Sequence, residues 1–125
     1  MADSVDRLYE QVIAAKDADP SVSRTARLLR AGRAKTAKKL AEEAVEVVID
    51  AMAGESEAVI RESADLLYNL VVVWVSSGIE PKDVWKEMER RERMLGIAEK
   101  LPKTAPETTA RKVVSLETRR VRKRR

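Results

Sequence analysis

The chain has no cysteine, no histidine and no phenylalanine among its 125 residues, and aromatic residues make up only 3%. Without cysteine there is no disulfide framework, thiolate metal site or cysteine nucleophile. Without histidine, no imidazole is available as a general base or zinc ligand. The scarcity of aromatics argues against a sheet protein, because strands draw on aromatic and β-branched side chains. Long hydrophobic runs are also missing. The longest nearly apolar stretch, Leu66 to Val75, is about half the length needed to span a bilayer. The N-terminus, "MADSVDRLYE", carries acids where an export signal has a basic region before an apolar run. A cytoplasmic location with no membrane association is the expectation, and the absence of cysteine is compatible with it.

What is present in quantity is charge. Charged residues are 37% of the chain and hydrophobic ones 44%, a mixture suited to amphipathic helices in a single domain. The net charge of +4 is unevenly placed. The last fifteen residues, "RKVVSLETRRVRKRR", hold eight basic residues against one acidic, a net of +7, so residues 1–110 carry −3. A mildly acidic all-α domain over 1–100 followed by a basic tail over 101–125 is therefore expected.

Glycine serves as punctuation. Gly32, Gly54, Gly78 and Gly96 each stand where a helical pattern is expected to stop or start, and Pro81 suits the first turn of a helix after Gly78. The spacing predicts helices near 3–17, 23–31, 34–53, 56–77 and 81–95, a bundle of four to five. The valines of "VVVWV" favour strands by propensity, but "ESADLLYNL" leads into them with no turn signal, and the segment is too long for an ordinary strand.

Two acidic pairs stand out. Glu43 and Glu46 are three apart, with Asp50 four later and Lys39 a turn earlier on the same helical stripe. Glu62 and Asp65 repeat the spacing on the next helix, with Asn69 continuing their stripe. Asp65 then lies at the head of a helix expected to be buried on every side. If the two helices fold back around Gly54, Glu43 lies level with Asp65 and Glu46 with Glu62. A single acidic pair is ordinarily a solvated face. Two pairs in mirror register predict a cluster of four carboxylates whose repulsion a cation would relieve. An all-oxygen ligand set without histidine suits Mg²⁺, or Mn²⁺, rather than zinc. Glu42, about a quarter-turn away, would either support the ligand carboxylates or be an ordinary surface acid, and Asn69, one turn deeper, would hydrogen-bond a ligand carboxylate or the substrate.

Upstream, "SRTARLLRAGRAKTAKK" concentrates Arg24, Arg27, Arg30, Arg33, Lys35, Lys38 and Lys39 just before the acidic stripe. A polyphosphate bound through magnesium needs cations for its remaining oxygens, and Lys39, Arg33 and Lys35 are the candidates.

The segments "KKLAEEAVEVVIDAMAG" and "ESADLLYNLVVVWVSSGIEPKDVWKEMERR", with the upstream "TARLLRAGRAKTAKKL", resemble the phosphoribosyl-ATP pyrophosphohydrolase family over about residues 5–100. This is the histidine-biosynthesis branch of the all-α nucleoside triphosphate pyrophosphohydrolases. The resemblance implies a helical homodimer in which Glu43, Glu46, Glu62 and Asp65 match the metal-ligand motif. It also implies that the chain cleaves the α–β phosphoanhydride of phosphoribosyl-ATP to phosphoribosyl-AMP and pyrophosphate. Asn69 stands where family members often carry histidine, and the basic tail lies outside the resemblance. With no histidine present, Glu43 or Glu46 is expected to act as the catalytic base. Two alternatives accompany this expectation: a relative acting on another nucleoside triphosphate, and a non-catalytic helical dimer binding nucleic acid through "RRVRKRR". The tail lacks the interleaved aromatics that stack on bases, which counts against the second.

Overall fold

Asp3 opens the first helix by accepting the Asp6 amide at 3.0 Å, and Ser23 opens the second by accepting the Ala26 amide at 3.0 Å. Each satisfies one of the amides that a helix start leaves unpaired. The computed structural model describes residues 3–100 as five helices: α1 (Ser4–Ala15), α2 (Arg24–Arg30), α3 (Arg33–Met52), α4 (Ser56–Ser77) and α5 (Pro81–Lys100). No strand occurs among the described residues, and no helix among them is long and apolar enough to cross a membrane. The expected boundaries fall within about two residues of these, except at the end of α5. That helix runs through Gly96 to Lys100 instead of stopping near residue 95. Glycine inside a helix costs only about 1 kcal/mol, and the good helix formers of "RMLGIAEK" absorb it. The expected tail from residue 101 lies outside the described residues.

The chain divides into two units, the first ending at Val84 and the second starting at Trp85. In the second, the described part is the remainder of α5, where Glu87 pairs with Arg90 at 2.8 Å and Arg91 at 2.9 Å. These are helical i,i+3 and i,i+4 neighbours. The two guanidiniums hold the Glu87 carboxyl down at about 2.

In the first unit, α3 and α4 form the most extensive helix pair, and α1 packs across α4. Gly54 makes the turn between α3 and α4 possible: its φ of +73° is left-handed, a conformation that costs a residue with a Cβ. Gly78 ends α4 in the same way at φ +75°, where the Ile79 amide donates to the Trp74 carbonyl at 2.9 Å.

The core sits toward the Gly78 end of α4. Val71 and Val72 are fully buried, with Trp74 and Val75 beside them, together with Val12 of α1, Ala26 of α2 and Thr36 of α3. The other end of the hairpin is different. Val45, Val48, Ile49 and Met52 of α3 are more than half exposed, as is Ile60 of α4, and Leu67 is 45% exposed. The expectation that α4 is buried from Asp65 onward is therefore corrected. Asp65 is exposed, and the fully buried positions of α4 begin only at Asn69, with Leu70 and Val73 between them partly exposed. The reason is that α1, whose Val12 is buried, packs across α4 in addition to α3.

Candidate active site: paired carboxylates beside a basic cleft

Residues three and four apart share a helix face, so Glu43, Glu46 and Asp50 form one stripe along α3, and Glu62 and Asp65 another along α4. The hairpin brings the stripes together as two overlapping triads. Glu43, Glu62 and Asp65 have carboxylate oxygens within 4.8 Å of one another, and so do Glu46, Asp50 and Glu62. Glu62 is common to both.

Both pairs of the mirror register about Gly54 are brought together, Glu43 with Asp65 and Glu46 with Glu62, but the four acids do not form one set, and Asp50 joins the site although it was read only as part of the stripe. Glu62 is half-buried and faces the middle of the α3 stripe, so it reaches acids on either side of Glu46. Asp65, about 60° away around α4 and exposed, stays at the rim beside Glu43. The i,i+4 spacing of Glu46 and Asp50 was the signal that would have found Asp50 as a further ligand candidate.

The electrostatics center on Glu62. A hydrogen bond shared with Glu43, then burial, then repulsion from Glu43, Asp65 and Glu46 push its pKa up to about 7. One of its oxygens, Oε1, is buried and has no hydrogen-bond partner among the described residues. A half-buried carboxyl that must keep a proton to coexist with its neighbours, and that has an orphaned oxygen, is what a hard divalent cation would relieve. The residues present therefore fit such an ion.

Lys39 lies in register with the acids and pairs with Glu43 at 3.3 Å. It also lines a cleft of about 530 Å³ between α2 and α3, together with Arg24, Arg27, Lys35, Lys38 and Glu42. Of the expected phosphate partners, Lys39 and Lys35 are at this cleft, and Arg33 is not. Arg33 is exposed in the first turn of α3, where its carbonyl accepts the Thr36 hydroxyl at 3.0 Å. Glu42 is exposed on the cleft side of α3.

Asn69 does not bond to a ligand carboxylate. Its Nδ2 donates to the Asp65 backbone carbonyl at 2.8 Å, and its Oδ1 is buried without a partner among the described residues. At 2% exposure it lies in the core beneath the acids, where the carbonyl four residues earlier is the acceptor within reach. Sequence reading also missed the link between α2 and α4: Thr25 and Tyr68 hydroxyls are hydrogen-bonded at 2.6 Å, and the Arg24 guanidinium lies over the Tyr68 ring at 5.8 Å. Both contacts join residues more than forty apart, so no local pattern announces them.

An all-helical chain with carboxylates facing across an α3–α4 hairpin belongs to the class of all-α nucleoside triphosphate pyrophosphohydrolases. Within that class, the chain belongs to the phosphoribosyl-ATP pyrophosphohydrolase family, whose model matches residues 5–92. It is 64% identical to "Phosphoribosyl-ATP pyrophosphatase 2" of Rhodopseudomonas palustris, with 100% of both chains covered. It is 61% identical to the protein of the same name from Bradyrhizobium diazoefficiens, with 99% of both covered. It is 53% identical to "Phosphoribosyl-ATP pyrophosphatase" of Azospirillum brasilense over 77% of this chain and 86% of that one. The first two alignments extend through the basic tail, which the family resemblance read from the sequence left out.

Proposed function

We propose that this chain hydrolyses the α–β phosphoanhydride of phosphoribosyl-ATP, giving phosphoribosyl-AMP and pyrophosphate, in a magnesium-dependent reaction of histidine biosynthesis in the cytoplasm. The observation that carries the reading is the Glu62-centred carboxylate site in a chain 64% identical, end to end, to a protein named for that reaction. Glu43, Glu46, Glu62 and Asp65 would hold Mg²⁺, with Mn²⁺ as a substitute, and Asp50 is placed to join them. Magnesium bound there supplies Lewis-acid polarisation of the phosphoryl oxygens and stabilises charge on departing pyrophosphate.

The remaining work falls to side chains. Glu46 or Glu43 accepts the proton of the attacking water, since no imidazole exists to do so. Lys39, already beside Glu43, neutralises phosphate oxygens at the edge of the acidic site, with Lys35 of the same cleft, and Arg33, outside that cleft, as further partners. Asn69 and Glu42 act at one remove, Asn69 by tying down the α4 backbone at Asp65. The test is pyrophosphate release by the purified chain with magnesium, comparing phosphoribosyl-ATP with ordinary and deoxynucleoside triphosphates. Preference for another nucleotide would overturn the substrate. Glu46→Gln, an exposed position, is expected to abolish turnover and leave helicity intact, and retained activity with unchanged magnesium dependence would remove the site.

The exposed apolar side chains of α3 and α4 support a homodimer in which that face is covered. Val48→Asp is then expected to convert a dimer to a folded monomer in light scattering. An unchanged mass for the variant would exclude this face.

A further inference from the structure

Five cations, Arg24, Arg27, Lys35, Lys38 and Lys39, line the cleft between α2 and α3 against one acid, Glu42. Among the described residues, Lys39 is the only one of the five in an ion pair. Arg27 spends one N–H on the Pro20 carbonyl at 2.7 Å, which aims its guanidinium without neutralising it. Arg24 is steadied over Tyr68, and the Thr25–Tyr68 bond ties the same turn of α2 to α4. Side chains so restrained lose less rotamer freedom on binding than free surface residues do. At about 530 Å³ the cleft falls in the size range of small-molecule sites.

Its position matters as much as its charge. Lys39 is a wall of the cleft and, through Glu43, a neighbour of the carboxylate site. A ligand whose polyphosphate is held at the carboxylates therefore has a second anion-binding chamber one side chain away. An ordinary nucleoside triphosphate has nothing to place there, because all its charge is on one chain of phosphates. A phosphoribosyl substituent on the base adds a separate monophosphate, remote from the first, with a sugar to fill the volume.

We infer that the α2–α3 cleft is the subsite for this second phosphate, with Arg24, Arg27 and Lys38 as the residues that distinguish a phosphoribosylated nucleotide from a plain one. The inference rests on the proposed substrate. It assigns selectivity to α2, outside the carboxylate hairpin.

The test uses the full chain in EDTA, so that binding is read without turnover, and titrates phosphoribosyl-AMP and AMP by calorimetry. These differ only in the phosphoribosyl group. Wild-type protein is expected to bind phosphoribosyl-AMP at least tenfold more tightly, with the preference shrinking as salt is raised. Arg27→Glu and Lys38→Glu are each expected to bring the ratio to within about twofold of one. Lys38 is exposed on α3, so its variant keeps the fold, which circular dichroism checks, and the milder Arg27→Ala serves if charge reversal disturbs α2. Equal affinities in the wild type, an unaffected ratio in the variants, or a proportional loss of both affinities would overturn the assignment. Turnover of phosphoribosyl-ATP with magnesium is measured alongside. Its absence would overturn the proposed reaction, whereas turnover with a ratio insensitive to Arg27 and Lys38 would overturn the cleft alone.

Discussion

Replacing Glu62 with glutamine is expected to stop catalysis while making the metal-free protein more stable at pH 8. Glu62 is the one carboxylate shared by both triads, so its loss disrupts each set of oxygens. The expected fall in kcat is on the order of 10²–10³-fold, the usual cost of removing a group that supports charge in the transition state. The stability change has the opposite sign. In the folded chain Glu62 holds its proton up to about pH 7, while in the unfolded chain it titrates near 4.5. Between those values the folded state binds more protons, so stability declines as pH rises through the window and levels off above it. Glutamine keeps the shape and never ionises, which removes that decline. The proposed magnesium would work against the proton: its affinity for the wild type is expected to rise by up to about tenfold per pH unit below 7, because binding the metal displaces the proton. Thermal melts with and without magnesium at pH 5, 6, 7 and 8 test all of this. A Glu62→Gln variant that melted lower than wild type at pH 8 in EDTA, or kept its magnesium-induced shift, would refute the account.

The second large effect lies ten residues further along the same helix. Val72→Asp is expected to abolish cooperative folding. Val72 is fully buried, and an unpaired carboxylate there costs on the order of 4 kcal/mol or more. That is comparable with the whole stability of many domains of this size. Val72→Ala separates the charge from the loss of packing, and should cost about 2 kcal/mol. Urea unfolding of the three proteins measures both differences. A Val72→Asp protein with a wild-type midpoint would mean that the core is not where α1 crosses α4. Because α4 also carries Glu62 and Asp65, this core has a functional consequence: it holds one half of the carboxylate site at a fixed height against α3.

Much of this was legible in the chain before any tertiary information. Helix α4 was expected at 56–77 and lies there, because Gly54 and Gly78 bound one uninterrupted pattern. That Glu43 and Glu46 share one face and Glu62 and Asp65 another follows from 3.6 residues per turn within single helices. The all-helical class followed from composition and spacing, and Gly54 announced the hairpin.

What the chain could not disclose were the distances between elements. Glu62 being the pivot, Asp65 lying exposed at the rim, Asp50 joining Glu46, and Asn69 turning to a backbone carbonyl all depend on how α3 sits against α4. The Thr25–Tyr68 contact that ties α2 to α4, forty-three residues apart, is likewise set by tertiary packing. Periodicity along one helix is set by local backbone geometry and can be read from spacing. Which faces meet, and how deeply each carboxylate is covered, is decided by packing between residues far apart in the chain, and only the assembled bundle determines it.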